Sequence, residues 1–199
     1  LGPNTGGMGV YSPPGFLNGE FIDTMTKTIL EPTVRAMAQE GRPCKGVLYA
    51  GLMLTSEGPK VLEFNARFGD PETQVQLPLL KSDLVDIMQA TIDDSLDQIE
   101  IEWSGESCVG VVMASGGYPG SYNTGFPISG LRDLDSEALV FHAGTKEDNG
   151  NVCTSGGRVL TVVATGETVA SAQAKAYRNV QHIRFEGSHY RKDIAAEEA

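Results

Sequence analysis

The sequence has no apolar run approaching the roughly 18–20 residues that a helix needs to cross a bilayer. It also lacks clustered basic residues, since 15 lysines and arginines stand against 26 acidic residues and the net charge of −11 is spread over both halves of the chain. Nucleic-acid phosphates and anionic membranes attract clustered lysine and arginine. We therefore expect neither nucleic acid nor a membrane as a partner.

Cysteine is scarce, because only Cys44, Cys108 and Cys153 occur and none forms a Cys-x-x-Cys pair. Three separated cysteines beside apolar or small residues indicate buried free thiols rather than a disulfide framework. Free thiols are typical of a reducing compartment, so a cytoplasmic location is predicted. The three histidines show no ligand spacing, and no Ser–His–Asp or Cys–His arrangement is apparent.

Hydrophobic residues make up 40% of the 199 residues and charged residues 21%, which is typical of a globular protein with a core. Glycine is enriched at 24 residues. The glycines cluster at 2–9, 116–120 and 156–157, where we expect turns or close backbone approaches. The chain starts without methionine inside the first cluster, so we expect it to be a piece of a longer polypeptide.

Hydrophobic periodicity predicts three helices. The first covers residues 20–39 and should be kinked or split by Pro32. Ser82 is expected to cap a second helix that ends near Ile92, and Thr168 a third that ends near His182.

Short apolar runs predict the strands, so the fold class is α+β. The runs at 46–55 and 60–65 flank a turn and predict an antiparallel hairpin, with the first strand buried on both faces. Further strands are predicted at 108–115, 138–143 and 157–164. Because the composition changes near residues 95–100, we predict two domains, 1–97 and 98–199.

The second hairpin strand carries a candidate metal site. Alternate side chains of a strand share a face, so Glu63, Asn65 and Arg67 are expected to point the same way. A carboxylate and an amide oxygen on one face suit a hard cation such as magnesium. Arg67 could hold a carboxylate or phosphate through two hydrogen bonds. A polar outer face on an edge strand is the alternative interpretation.

The segment after this strand is polar and charged. Gly69 permits a turn, and Pro71 favours an extended Asp70. We therefore expect Arg67, Asp70 and Glu72 to gather at one end of the strand, where binding groups often lie in open sheets. The alternative is an ordinary hydrogen-bonded turn.

Two glycine-rich segments are further candidates. The loop 2–9 lacks the Lys-Ser/Thr ending of a P-loop and follows no visible strand, so neither the Walker nor the dinucleotide motif is met. Its glycines could let backbone N–H groups approach an anion, or it is an ordinary flexible loop. Arg158 follows Gly156 and Gly157 and could meet an anion or form a surface salt bridge.

Eight segments, taken together and in order, resemble the glycinamide ribonucleotide synthetase family, also called the phosphoribosylamine–glycine ligases. The resemblance runs from residue 1 to about residue 195, and the third segment that follows is a highly specific motif. The segments are GPNTGGMG (2–9), GVLYAGLML (46–54), EFNARFGDPETQ (63–74), LPLLKSDL (77–84), GYPG (117–120), FHAGT (141–145), SGGRVL (155–160) and YRKDIA (190–195).

The resemblance implies the second half of an ATP-grasp domain, an antiparallel sheet with helices, followed by a small β-rich domain with one long helix. It also implies purine biosynthesis: ATP phosphorylates the carboxylate of glycine to an acyl phosphate, and the amine of 5-phosphoribosylamine then attacks it. The products are glycinamide ribonucleotide, ADP and phosphate. The implied partners are therefore small molecules, namely ATP, glycine and 5-phosphoribosylamine.

Residue roles follow from the resemblance position by position. Glu63 and Asn65 would ligate magnesium or manganese, Arg67 would stabilise the acyl phosphate, and Asp70 would lie near the glycine amine. The loop 2–9 would close over glycine and the transferred phosphate, and Arg158 would face the phosphoribosyl substrate. The implied substrate-binding residues are Asn4, Thr5, Gly6, Gly7, Met8, Pro71 and Arg158.

Two departures from the family pattern stand out. Many ATP-grasp relatives carry another acidic ligand on the preceding strand, whereas residues 49–52 contain none. The N-terminal domain and the half that holds the adenine pocket are absent, so we expect this chain alone to be inactive. The parent chain could also be fused to other purine enzymes. Alternative interpretations are an ATP-grasp ligase with another acceptor and a non-catalytic binding module.

Overall fold

The structure is a computed structural model, and it describes residues 2–198. The strands of this part are β1 (Gly9–Ser12), β2 (Tyr49–Thr55), β3 (Gly58–Asn65), β4 (Ser107–Ala114), β5 (Leu139–His142), β6 (Thr145–Asp148), β7 (Asn151–Thr154) and β8 (Arg158–Gly166). Its α-helices are α1 (Gly19–Met25), α2 (Glu31–Gln39), α3 (Thr73–Leu79), α4 (Leu84–Ile92) and α5 (Val169–Val180). A mixed helix and antiparallel-sheet composition confirms the predicted α+β class.

The chain divides into two compact units, each assembled from segments that are distant in sequence. The first unit contains the described residues up to Pro13, Asp70–Leu79 and those from Ser104 onward. The second unit contains Pro14–Gly69 and Leu80–Trp103. The division into domains at residue 97 remains a prediction.

The first unit is built around a four-stranded antiparallel sheet in the order β1-β4-β8-β5. Every residue of β4 is buried, and β8 is buried over most of its length. Runs of valine and other β-branched residues suit such a central position, because both faces of these strands are covered.

Helices pack on the two faces of this sheet. One face carries α5, whose Ala172, Ala176 and Val180 join a cluster with alternate residues of β4 and β8. On the other face, Val75 and Leu79 of α3 pack with Cys108 and Val163. The alternation of strand side chains thus supplies one apolar layer to each helix.

The cap predicted for α5 is confirmed. The Thr168 side chain accepts a hydrogen bond from the Ser171 N–H, and the Ser171 side chain accepts one from the Thr168 N–H. This reciprocal capping box satisfies two backbone donors that the first helical turn leaves unpaired.

In the second unit, the helical region 19–39 is divided as expected around Pro32. A five-residue π-helical segment, Thr26–Leu30, separates α1 from α2, and Pro32 lies in the first turn of α2. Proline has no N–H and its ring displaces the carbonyl of the preceding turn, so a wider turn just before Pro32 accommodates it.

The hairpin of β2 and β3 is confirmed, but burial of β2 on both faces is wrong. The strands form a two-stranded antiparallel sheet, and Met53 is 51% exposed. On β3, Leu62 is 64% exposed. An apolar sequence does not bury a strand unless other elements cover it.

Two smaller expectations are corrected in the second unit. The cap of α4 is Asp83, whose carboxylate accepts from the Val85 N–H at 2.8 Å, whereas the Ser82 hydroxyl accepts from the Glu102 N–H. Cys108 and Cys153 are buried, but Cys44 is exposed because it lies in the loop after α2.

Four elements went unrecognised in the sequence. The strand β1 begins at the end of the glycine-rich loop, α3 contains Pro78, and β6 and β7 form a short polar hairpin. Each of these elements is short and lacks a strong hydrophobic period, so its formation depends on the segments that pack against it.

Among the helices of residues 2–198, none combines the length and apolarity that a bilayer crossing requires.

Candidate active site

The candidate metal site lies on β3 in the second unit. Glu63 pairs with Gly51 of β2, and Asn65 pairs with Tyr49. The register shifts at the neighbouring pair, so β3 carries an extra residue, Leu62, beside Glu63. Bulges of this kind re-aim side chains. A Cβ at position 51 would lie 3.2 Å from the Glu63 Cγ, so glycine leaves room for the Glu63 side chain.

The two side chains are available to a ligand. Glu63 is exposed and Asn65 is half-buried, and neither is turned into an apolar core. The Asn65 Nδ2 is buried without a hydrogen-bond partner among the described residues. A hard cation would bind the carboxylate oxygens of Glu63 and the amide oxygen of Asn65, and this donor set fits such an ion.

The donor set also limits what the pair can do alone. Carboxylate and amide oxygens suit magnesium or manganese. No group of three or more His, Cys, Asp or Glu side chains is positioned to hold a metal ion within residues 2–198. Glu63 and Asn65 by themselves would offer a bound cation a carboxylate and an amide oxygen.

Arg67 lies beyond the end of β3. The strand stops at Asn65, so the strict alternation that places Glu63 and Asn65 on one face does not extend to Arg67. The Arg67 Nη1 donates to the carbonyl of Phe68 at 2.9 Å, and its side chain is exposed. An exposed guanidinium of this kind can donate hydrogen bonds to an anion.

Asp70 and Pro71 belong to the first unit and immediately precede α3. The Asp70 Oδ1 accepts from the Gln74 Nε2 at 2.9 Å, and the Asp70 Oδ2 accepts from the Arg158 Nη2 at 2.7 Å. Both carboxylate oxygens are thus fixed in direction. The Gln74 Oε1 is buried without a partner in the described part of the chain.

The glycine-rich loop packs in the same unit. The Gly6 N–H donates to the hydroxyl of Tyr118 at 3.0 Å, and the Gly7 carbonyl accepts from Arg158 at 3.2 Å. A Cβ on Gly7 would overlap the ring of Pro71, so only glycine permits this approach. The Gly6 N–H is therefore engaged by protein rather than open to an anion.

The remaining loop residues are less constrained by side-chain bonds. Asn4 and Thr5 are exposed, whereas Met8 is half-buried and its carbonyl accepts from the Val112 N–H at 3.2 Å. The loop is thus anchored at its glycines and at Met8, and it presents Asn4 and Thr5 to solvent.

A cavity of about 440 Å³ borders this loop, also within the first unit. Its walls include Thr5, Tyr118, His189 and Arg191. Arg191 is paired with Asp193, and this hydrogen-bonded partner holds the pKa of the Asp193 carboxyl below its usual range.

The structure thus brings the loop, Asp70, Pro71 and Arg158 together in one unit, while Glu63, Asn65 and Arg67 belong to the other. The contacts of Tyr118 and Gln74 went unrecognised in the sequence. A signal for both was present, because Tyr118 is part of the glycine-rich Gly-Tyr-Pro-Gly segment and Gln74 closes the Asp-Pro-Glu-Thr-Gln segment.

Solved structures place this fold in a known class. A phosphoribosylamine–glycine ligase from Thermotoga maritima superposes with a TM-score of 0.85 at 37% identity, covering 98% of this chain and 48% of that one. The biotin carboxylase domain of Hydrogenobacter thermophilus 2-oxoglutarate carboxylase, solved with MgADP, ADP and bicarbonate, gives 0.62 at 13% identity, covering 92% of this chain and 40% of that one. The second likeness concerns the fold alone. The chain is an α+β fragment of the ATP-grasp class.

Family models and relatives narrow the class. The ATP-grasp (A) domain of phosphoribosylglycinamide synthetase matches residues 1–73, and the C domain of the same family matches residues 108–197. The chain therefore belongs to the phosphoribosylglycinamide synthetase family.

Curated relatives agree with the family. A phosphoribosylamine–glycine ligase of Caldanaerobacter subterraneus is 53% identical over 98% of this chain and 46% of its own length. A bifunctional purine biosynthetic protein of Schizosaccharomyces pombe is 50% identical over 98% of this chain and 25% of its own length. The chain spans about half the length of the ligases it matches.

Proposed function

We propose that a full-length protein carrying this sequence ligates glycine to 5-phosphoribosylamine with ATP, giving glycinamide ribonucleotide, ADP and phosphate. The observation that carries the proposal is the carboxylate–amide pair on one face of β3, the exposed Glu63 and the half-buried Asn65, in a chain of this family. The 53% identity to a phosphoribosylamine–glycine ligase supports glycine and phosphoribosylamine as the substrates.

The proposed reaction has two steps, a phosphoryl transfer and an acyl transfer. A carboxylate oxygen of glycine attacks the γ-phosphorus of ATP, an O–P bond forms, and ADP leaves with the electrons of the broken bond. The amine nitrogen of 5-phosphoribosylamine then attacks the carbonyl carbon of glycyl phosphate, a C–N bond forms, and phosphate leaves. The attacking amine gives up one proton in this second step.

A divalent cation, magnesium or manganese, would be held by Glu63 and Asn65 together with ATP phosphates and water. It would supply neutralisation of phosphate charge, which lowers the barrier to phosphoryl transfer by several kcal/mol. Glu63 and Asn65 hold their oxygens on a paired strand rather than on a loop. Because the strand already holds the two side chains, cation binding would require little further ordering of the backbone.

Arg67 and Asp70 are proposed as the catalytic residues that touch substrate. The exposed Arg67 guanidinium would stabilise the negative charge of the acyl phosphate through hydrogen bonds. Asp70 would accept a hydrogen bond from the ammonium group of glycine and so orient its carboxylate. In the first unit, the exposed Asn4 and Thr5, with Gly6, Gly7, Met8 and Pro71, are proposed to bind substrate.

Two alternatives are retained. An ATP-grasp ligase with another acceptor would bind the same cation, and a non-catalytic module would keep the fold without turnover. The bifunctional relative from Schizosaccharomyces pombe favours a fusion to another purine enzyme in some parent chains. A cytoplasmic location remains a prediction from the cysteine pattern.

The decisive experiment substitutes the metal pair in a full-length protein. Glu63→Gln or Asn65→Ala should lower kcat at least about 100-fold at limiting magnesium, since each removes a ligand oxygen or its charge. Glu57→Gln is the matched control, because Glu57 is an exposed acid in the β2–β3 turn that pairs with Lys60. Near-normal turnover of either site variant would contradict the metal assignment.

The chain by itself is proposed to be inactive, because the family's adenine pocket lies outside the matched half. The test incubates the purified 199-residue chain with ATP, glycine and 5-phosphoribosylamine and measures glycinamide ribonucleotide. We expect no product above the enzyme-free background. Product that depends on both ATP and glycine would contradict this proposal.

A further inference from the structure

Arg158 makes three bonds that link two separate segments of the first unit. Its Nη1 donates to the carbonyls of Gly7 and Asp70 at 3.2 and 3.0 Å, and its Nη2 donates to the Asp70 carboxylate at 2.7 Å. The Arg158 side chain is only 22% exposed. A single guanidinium therefore joins the glycine-rich loop to the segment that carries the catalytic carboxylate.

The bonds already made restrict what else Arg158 can do. A guanidinium has five N–H donors in a rigid plane, and three of them serve Gly7 and Asp70. The Nη1 and Nη2 donors that bind Asp70 are consequently not free to bind a phosphate. A role as the main anion-binding group would require these bonds to break.

Neighbouring contacts make the link more rigid. Gln74 holds the second oxygen of the Asp70 carboxylate, and Tyr118 holds the N–H of Gly6. A Cβ at Gly6 would lie 3.0 Å from the Arg158 Nε, so the loop backbone lies directly against the guanidinium. Each oxygen of Asp70 retains a lone pair for a further donor.

We propose that Arg158 is a positioning residue that orients the Asp70 carboxylate and holds the glycine-rich loop against it. The ligand served by this arrangement is the ammonium group of the amino-acid substrate, so this proposal rests on the proposed function. Arg158 then acts through Asp70 and does not bind the phosphoribosyl substrate directly. This assignment differs from the expectation that the family resemblance suggested.

The first experiment separates the three substrates in a full-length protein. Arg158→Met should raise the KM for glycine about 10-fold or more, because bonds between charged groups contribute strongly to orientation. The KM for ATP and for 5-phosphoribosylamine should stay within about 2-fold, and Arg158→Lys should partly restore the KM for glycine. Arg178→Met is the matched control, since Arg178 pairs with Asp135 in the same unit.

The possible outcomes are distinct. An unchanged KM for glycine, or a rise confined to 5-phosphoribosylamine, would overturn the positioning role. If the unaltered protein makes no glycinamide ribonucleotide, the proposed function fails, and the link between Arg158 and the loop is then decided by the second experiment.

The second experiment needs no activity. Hydrogen exchange at the Gly6 and Gly7 amides should be accelerated about 10-fold or more by Arg158→Met, and much less by Arg158→Lys. The double variant Asp70→Asn, Arg158→Met should accelerate exchange at these amides little more than either single variant does, because both substitutions break the same link between Arg158 and Asp70. Unchanged exchange at the loop in both Arg158 variants, with the fold intact by circular dichroism, would overturn the proposal.

Discussion

The first unit buries both faces of its sheet, whereas the second unit exposes most of its large apolar side chains. In the first unit, β4 is buried throughout and β8 over most of its length. All but two of the large apolar side chains exposed in the described chain belong to the second unit, the two exceptions being Tyr122 and Leu139. Val85 on α4 is 70% exposed.

Both units nevertheless contain strands of similar apolar character. The β2 sequence YAGLMLT would be buried if helices lay on both faces of its sheet, as α5 and α3 do in the first unit. The comparison shows that an apolar pattern predicts which residues share a face, while burial depends on the elements that cover that face. A two-stranded ribbon alone is marginally stable.

Hydrogen exchange should reveal the largest difference between the units. Amides of β8 should exchange at least about a thousandfold more slowly than those of β3, because opening β8 requires loss of the buried core. Exchange of the 199-residue chain, followed by NMR or mass spectrometry, measures both strands in one sample. Equal protection in β3 and β8 would break the comparison.

Truncation of one leucine in each unit should give the next largest effect. Leu160→Ala, at a position of β8 with no exposed surface, should lower the free energy of unfolding by about 2–5 kcal/mol. Leu62→Ala, at a largely exposed position, should change it by no more than about 0.5 kcal/mol. Urea unfolding of both variants provides the measurement, and similar losses would show that β3 is covered in solution.

Thiol reactivity should distinguish the units again. Burial, with a smaller contribution from the negative charge of Glu106, raises the pKa of the Cys108 thiol to about 12. At pH 8 Cys108 is therefore protonated as well as inaccessible, while Cys44 is exposed. One thiol per native chain should react promptly with a disulfide reagent, and Cys44→Ser should abolish that reaction. Rapid modification of Cys108 would contradict the buried sheet.

The smallest expected effect concerns the surface of the first unit. Hydrogen bonds from Arg178 and Asn179 lower the pKa of the Asp135 carboxyl. Because the folded pKa lies below the unfolded value of about 3.9, this group stabilises the fold above that pH, and its contribution is lost as the pH falls through the folded pKa.

NMR titration of the Arg178→Ala variant tests this assignment. The pKa of Asp135 should rise toward the ordinary range, while that of Asp193, which is lowered by its own partner Arg191, should stay low. A pKa of Asp135 that does not respond to the loss of Arg178 would assign the shift to another cause.

Part of the candidate site could be predicted from residue order alone. Strand alternation correctly placed Glu63 and Asn65 on one face of β3, since both lie inside the strand. The same argument did not extend to Arg67, because the strand ends two residues earlier. Where a strand ends depends on its hydrogen-bonded partner as well as on its own residues.

Long-range bonds were beyond sequence reasoning. The sequence indicated that Arg158 could meet an anion, but its partner Asp70 is 88 residues away. The Tyr118 hydroxyl meets the Gly6 N–H across 112 residues. No local period reports such pairings, because they arise only when β1 pairs with β4 and α3 packs on the sheet of the first unit.

The order of residues by itself determined the helices capped at Thr168 and divided at Pro32, the β2–β3 hairpin and the family. These features depend on backbone preferences and motifs that act within a few residues. Only the tertiary structure decided which apolar faces are covered, that Cys44 is exposed, and that Arg158 holds Asp70 and the glycine loop. Those features depend on contacts between distant segments, whose energies exist only once the chain has brought the segments together.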